Sequence, residues 1–519
     1  MSLSASMKTI TALILIILVK VDAGRILVVV PTPSVSHQVV FQPLTRALLD
    51  RGHDVVVITT EPLYKNNDGP PNLTEIDVCD ISYEVWKKKF MTNTAIGKKK
   101  YLIQSVELFV QQFAKAFEVQ LQSDQVKRLV NGELGNFDVL ILEASVRPAF
   151  IFSHIFKAPV IQMSTFGAML NSNDIVGAPS HPLLYPWNLH QRLYNLTILE
   201  KVQELVKHWQ IYNMYRAYEN IEEEMLRNIL GPNIPSLQEL STNVQMLFYN
   251  SDPIWSDNQP VPPNVVYIGG INKKPEKELP KDLQLYLDSS KNGVIYISFG
   301  NNVKPSLLPK DKLQIFKNIF SELPYNILWR WDTDIPDKSD NVKIMRWVPQ
   351  TDVLRHPKVK LFITQGGLQS TEEAISAGVP LIGIPMIADQ WYNAEKYEHF
   401  NIGKQLDIET LTEEEFRAAV KSVLEDKSYR DNIVKLRNLT RDQPWRAVDR
   451  AVWWTEYVLR HGGAKHLRAA AANMPWTQYY EIELVMIILS STMVVITIVM
   501  YGMFQCMKRI LRTNKVKIL

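Results

Sequence analysis

The run from Leu484 to Cys506 carries no charged residue and is long enough to cross a bilayer with some tilt. Trp476, Tyr479 and Tyr480 precede it, where amphipathic rings favour the membrane surface. Lys508, Arg509, Arg512, Lys515 and Lys517 follow it with no acid among them. By the positive-inside rule, residues 507–519 form a cytoplasmic tail, so whatever precedes the run folds on the other side, as a type I single-pass protein. The N-terminus agrees. Lys8, the apolar stretch Ile10 to Val19 and the small residues around Ala23 have the order of a secretory signal, expected over 1–23, and the stretch is too short to span. Lys515 and Lys517 stand fifth and third from the end, as in a dilysine retrieval signal for the endoplasmic reticulum. Three sequons, at Asn72, Asn195 and Asn438, are candidate glycan sites in the lumen. Cys79 is then the one luminal thiol, which excludes a luminal intrachain disulfide, and two cysteines exclude a thiolate metal cluster. A formal charge of +3 gives no field for nucleic acid.

The body between these ends alternates strands and helices. Arg25 to Val30 is a β-branched run of the kind buried in a parallel sheet, followed by a Pro/Ser loop, a helical pattern to Asp50 and a second strand from Asp54 to Ile58. This is a βαβ unit, and Pro43 predicts that its helix starts late or bends. Phe137 to Leu142 and Ala158 to Met163 read as further strands of a domain over 24–251. Six prolines interrupt all periodicity over 252–280, which reads as a linker. A second α/β domain follows over 281–450, with strands from Val294 to Phe299, Asn326 to Trp331, Val342 to Arg346, Lys360 to Thr364 and Leu381 to Pro385. Helices and a membrane-proximal segment occupy 451–483. Two doubly wound domains imply a cleft at the carboxyl ends of their strands.

The chemistry concentrates between Trp347 and Gln390. Gly366-Gly367 lies between a strand and a helix, where backbone can approach an anion and the helix N-terminus offers free N–H groups and a positive dipole end. Glu373, about two turns into that helix, could accept bonds from vicinal ribose hydroxyls. Trp347 at a strand end could stack on a base. Asp389-Gln390 offers an acceptor and a donor to sugar hydroxyls. Together the set fits a nucleotide-sugar.

This run, Trp347-Val348-Pro349-Gln350 through Gln365-Gly366-Gly367 to Asp389-Gln390, resembles the signature of the UDP-glycosyltransferase superfamily, in its membrane-bound glucuronosyl- and glucosyltransferase branch. The resemblance spans essentially the whole chain. It implies a GT-B fold of two Rossmann-like domains, inverting transfer without a metal or other cofactor, UDP-glucose or UDP-glucuronate as donor, and a small lipophilic hydroxyl acceptor, as in detoxifying conjugation. It leaves homo-oligomer formation open. Carried over by position, Trp347 stacks on uracil, and Gln350 contacts the uridine. Gln365 stands where many members have His against the diphosphate. Gly366, Gly367 and Gln369 meet phosphate, and Glu373 holds the ribose. Asp389 and Gln390 hold the transferred sugar, and Ser298, Gly300 and Asn301 lie in the loop near the diphosphate. The base is His37, after the first strand. Glu143 stands where the family has an Asp that holds the imidazole, and it reaches one methylene further. Two other readings stay open here: a catalytically silent binder of hydrophobic ligands, and an epimerase on the same scaffold. Asp332-Thr333-Asp334 looks like a DxD metal motif but reads as a solvated turn, and His356 as a helix cap.

Overall fold

The computed structural model describes residues 23–64, 68–90, 97–300 and 308–516. The expected signal segment up to Asp22, Asn301 and Lys517 lie outside the described residues.

Two parallel sheets carry the fold. The first holds β1 (Arg25–Val29), β2 (Asp54–Thr59), β3 (Leu73–Asp77), β4 (Val139–Glu143), β5 (Val160–Ser164), β6 (Val244–Tyr249) and β7 (Val265–Tyr267), in the order β3-β2-β1-β4-β5-β6-β7. The second holds β8 (Val294–Ser298), β9 (Asn326–Arg330), β10 (Val342–Met345), β11 (Val359–Thr364), β12 (Leu381–Gly383) and β13 (Gly403–Gln405), in the order β10-β9-β8-β11-β12-β13. Both are doubly wound, and both are covered on two faces, which is why their strands read as unbroken apolar runs. Leu27, Val29, Val56 and Ile58 enter one core of the first sheet, while Ile26, Val28, Val55 and Val57 enter the core on its other face. The period of two in a strand separates them.

The helices that matter for the site are α1 (Val35–Asp50), α2 (Leu102–Leu121), α3 (Ile198–Leu230), α4 (Leu368–Ala377), α5 (Gln390–His399), α6 (Ala447–His461) and α7 (Ile482–Val516). The first begins at Val35, before Pro43, so Pro43 lies inside it and the late start expected from that proline does not occur. The proline-rich segment 252–280 is also not wholly a linker. It contains β7, which pairs with β6 from Leu247↔Val265 to Tyr249↔Tyr267 and extends the first sheet. Near its C-terminal end the chain returns to the first domain: Ala451, Val452 and Val458 of α6 pack with Ile26, Val28 and Val139. Among the described residues, one helix, α7, has a stretch long and apolar enough to cross a membrane, Ile482–Leu511, and it is not packed against the body.

Candidate active site

The carboxyl ends of the two sheets converge on one cavity of about 220 Å³. From the first domain come the loop after β1 and the end of β4. These meet because β1 and β4 are neighbours, with Val29 opposite Leu142. Ser34, extended, precedes α1, and its hydroxyl pairs with that of Ser36 rather than capping the helix. His37 therefore sits in the first turn of α1, buried. Its Nδ1 donates to Glu143 Oε1, and Glu143 Oε2 accepts the Thr32 N–H at 3.1 Å. The extra methylene of Glu is thus accommodated: both oxygens are bonded and the side chain is fully buried. A carboxylate accepts only, so it holds the proton on Nδ1 and leaves the lone pair on Nε2. Thr165 Oγ1 lies 3.3 Å from the same Nδ1, and the Phe166 ring meets the imidazole edge-on at 5.4 Å.

The second domain supplies the opposite wall. Gly366 has φ +89°, and a Cβ there would stand 3.0 Å from the Gln390 carbonyl oxygen, so the turn requires glycine. Gly367 precedes α4 in extended conformation with no side-chain cap. One N–H of that helix end is used: Leu368 donates to Asp389 Oδ2 at 3.2 Å. Asn393, one turn into α5, donates its amide to Asp389 Oδ2 at 2.7 Å and to the Gly366 carbonyl at 2.8 Å. Burial pushes the Asp389 carboxyl up to about 6, opposed by the bonds from Asn393 and Leu368 and by the charge of His37. His37 and Asp389 line the same cavity from the two domains. Gln390 Oε1 accepts the N–H groups of Met386 and Ile387 at 2.8 and 2.9 Å, fixing the loop before α5.

Gln365 is buried beside Gly300, which has φ +72°; a Cβ on Gly300 would collide with the Gln365 amide. Ser298 ends β8, buried, opposite Thr364 of β11. Gln369 spans the cleft: its amide donates to the Ser36 carbonyl, next to His37. Gln350 and Glu373 form a separate group. Gln350 donates to Glu373 Oε2 at 2.7 Å and to Ser370 at 3.0 Å and accepts from the Tyr296 hydroxyl at 3.1 Å, while Thr351 donates to Glu373 Oε1 at 2.5 Å. Trp347 stands beyond them, 66% exposed.

The remaining wall is apolar. Trp86 and Phe113 stack at 5.6 Å and 7°, and Val106, Val110, Met169 and Leu189 complete it. Among the described residues lining the cavity there is no lysine or arginine. Sequence reading missed Thr165, the buttressing role of Asn393 and this aromatic wall. The four-residue spacing from Asp389 to Asn393 was a visible signal; nothing local marked the others. It also missed a buried clamp between the domains. Lys396 Nζ, fully buried, donates to Asp257 Oδ2 at 2.7 Å and to the Tyr194 hydroxyl at 3.0 Å. Asp332-Thr333-Asp334 lies outside the cavity, with Thr333 accepting from the Trp331 indole at 3.1 Å. His356 follows the helix Gln350–Arg355 as its cap. Among the described residues no cluster of His, Cys, Asp or Glu converges as a metal-holding group.

Two facing parallel-sheet domains with a glycine turn at a helix N-terminus, opposite a carboxylate-held histidine, make a GT-B-like α/β fold. Solved structures share that fold: the glycosyltransferase VinC in complex with DTDP aligns with TM-score 0.58 at 17% identity over 85% of this chain and 100% of that one, and the kitacinnamycin glycotransferase with 0.54 at 18% over 84% and 98%. The family profile "UDP-glucoronosyl and UDP-glucosyl transferase" matches residues 24–517. An ecdysteroid UDP-glucosyltransferase of Spodoptera littoralis nuclear polyhedrosis virus is 35% identical over 89% of this chain and 93% of its own. UDP-glucosyltransferase 2 of Dactylopius coccus is 31% identical over 92% of each. The chain belongs to the UDP-glycosyltransferase family and is a UDP-sugar transferase.

Proposed function

We propose that the protein transfers glucose from UDP-glucose to a hydroxyl of a small lipophilic alcohol or phenol, with inversion and without a metal. The observation that carries this is the placement of the His37–Glu143 couple and Asp389 on one cavity with an apolar, aromatic wall. His37 Nε2 takes the acceptor proton as the oxygen attacks the anomeric carbon. The bond to the diphosphate breaks on the opposite side, and its electrons go to UDP. Glu143 stabilises the imidazolium that forms. Negative charge on the diphosphate meets the N-terminus of α4, Gly366-Gly367 and Gln365. Asp389 and Gln390 hold the sugar hydroxyls, Glu373 and Gln350 the ribose and uracil edge, and Trp347 the base face.

Asp389 on the cavity favours a neutral hexose over glucuronate, whose carboxylate would meet it. The names of the viral and insect relatives favour glucose as well, and the viral ones favour a polycyclic steroid-like alcohol as acceptor. The same reading places the body in the lumen of the endoplasmic reticulum after signal removal near Ala23, with α7 across the membrane and the basic tail in the cytoplasm.

The test supplies the full chain in vesicles with UDP-glucose, UDP-glucuronate and a phenol, and identifies products by mass spectrometry. Glucoside is expected. His37→Ala is expected to lower turnover about 10²–10⁴-fold with UDP binding retained. Glucuronide as the main product would overturn the donor, and near-normal turnover of His37→Ala would remove the base.

A further inference from the structure

The loop between β6 and β7 starts in the first sheet and reaches into the second domain. It is stiffened by its own polar groups. Asp252 Oδ1 accepts the Ile254 N–H at 2.8 Å, and the Asp252 carbonyl accepts the Ser256 N–H at 3.0 Å. The Pro253 carbonyl accepts the Asn258 N–H at 2.8 Å, and the hydroxyls of Ser251 and Ser256 pair at 2.9 Å. Asp257 and Asn258 both stand in the left-handed region, at φ +55° and +51°, which short polar side chains tolerate. Two side chains of this loop engage the other domain. Asp257 takes the Lys396 ammonium of α5 at 2.7 Å. Trp255, buried, joins the apolar core of the second domain and stacks on Phe400 at 5.6 Å.

The Trp255 indole does more than pack. Its Nε1 donates to Asn393 Oδ1 at 3.0 Å. Asn393 is 1% exposed, and its amide nitrogen donates to Asp389 Oδ2 at 2.7 Å and to the Gly366 carbonyl at 2.8 Å. An indole N–H only donates, whereas a carboxylate and a carbonyl only accept. The amide therefore has one orientation in which all three contacts are bonds. Turned over, its oxygen would meet two acceptors and its nitrogen a donor. Without the indole N–H, the Asn393 oxygen is buried with no partner, and the side chain gains by leaving the position from which it holds Asp389.

We propose that Trp255 is a positioning residue for the donor sugar: through Asn393 it fixes Asp389 and the Gly366 turn, so that the β6–β7 loop completes the sugar-holding side of the site. The inference rests on the reading of Asp389 as a group that holds sugar hydroxyls. Trp255 is not among the residues lining the 220 Å³ cavity, so it acts on the sugar only through its neighbour. The groups assigned to the nucleoside need no such help. Gln350 and Glu373 bond to each other and to Ser370 and Thr351, all within the second domain. Recognition of the hexose is thereby tied to docking of the loop on α5, and recognition of the nucleoside is not.

The experiment uses the full chain in detergent. It measures the affinities of UDP and of UDP-glucose by titration calorimetry without acceptor, and kcat with a phenol. Trp255→Phe keeps a ring in the core and removes the N–H. It is expected to leave UDP affinity within about twofold of the parent, to weaken UDP-glucose about tenfold and to lower kcat by a similar factor. In an Asn393→Ala background the same substitution is expected to change the ratio of UDP-glucose to UDP affinity by less than about twofold, because the route to Asp389 is already cut. A parent-like ratio in Trp255→Phe overturns the inference, and leaves the reading of Asp389 standing if Asp389→Asn lowers that ratio. An unchanged ratio in Asp389→Asn overturns that reading and the inference with it. Equal weakening of UDP and UDP-glucose in Trp255→Phe, or loss of all binding, assigns the indole to the fold and overturns the inference. So does an undiminished effect of Trp255→Phe in the Asn393→Ala background.

Discussion

Replacing Glu143 by Gln tests the core of the proposed chemistry with almost no change in shape. Glu143 is fully buried and makes two bonds, to His37 Nδ1 and to the Thr32 N–H. A glutamine carbonyl can still accept from Thr32. Its amide nitrogen then faces Nδ1 as a donor, which favours the tautomer with the proton on Nε2, the atom that must take the acceptor's proton. The variant also loses the negative charge that stabilises the imidazolium. Loss of a positioned base contributes about 10²–10⁴ in rate, or about 3–5 kcal/mol of barrier. The expected result is a fall in kcat of that order with an aliphatic alcohol, whose proton leaves only with help. A strongly acidic phenol, already ionised near neutral pH, should lose far less. UDP affinity should hold, because Glu143 belongs to the domain opposite the nucleotide. The assay measures UDP release across a series of acceptors of increasing acidity at fixed pH. A kcat within threefold of the parent for the least acidic acceptor, or an equal loss across the series, would refute the reasoning.

Three further outcomes follow from the opposite wall. Asp389, raised by burial to about 6 from 3.8, is kept charged near neutral pH at a cost of about 3 kcal/mol relative to the unfolded chain; that destabilisation is absent below the unfolded value and complete once pH rises through about 6. Asp389→Asn should therefore raise the melting temperature at pH 7.5 by a few degrees while cutting kcat at least tenfold, and the parent's turnover should fall as pH drops through about 6; scanning calorimetry and a pH–rate profile check both. Gly300→Ala puts a Cβ into the Gln365 amide at a left-handed φ of +72°, so UDP affinity measured by titration calorimetry should drop at least tenfold. Trp347→Ala removes an exposed ring, so stability should stay within about 0.5 kcal/mol while UDP binding weakens by about 1–3 kcal/mol, the size of a base-stacking contact.

The features legible in sequence are those written locally. Strands buried on both faces announce themselves as apolar runs, and β1, β4, β5, β8 and β11 lie within two residues of where the runs put them. A glycine pair between a strand and a helix reads the same way, as does a histidine after the first strand. The missed strands are of three kinds. β3 is an edge strand with one buried residue, Ile76, and so carries no apolar run. β6 is a buried apolar run overshadowed by the prolines after it, and β7 and β13, three residues each, owe their state to the neighbour they pair with. The aromatic wall of the cavity was illegible for the same reason: Trp86 and Phe113 lie on different helices, and only packing brings them together. The partners that Gln369 and Lys396 find across the cleft are likewise decided by docking of the domains, on which local pattern carries no information.

The return of α6 to the first sheet changes which half of the molecule the apolar helix is joined to. By chain order the apolar helix follows the nucleotide-binding half. By packing, the chain leaves from the first domain, on which α6 and Asn473 are fastened. The covalent crossings between the halves, after β7 and before α6, also lie together, because Arg450 donates to both the Tyr267 carbonyl and Gln443 Oε1, at 2.9 and 3.0 Å. Both connections therefore pass one place between the halves. On the proposed reading, with the apolar helix as anchor, a rotation about that place would move the donor half against a fixed acceptor half, and UDP would exchange while a bound alcohol keeps its place.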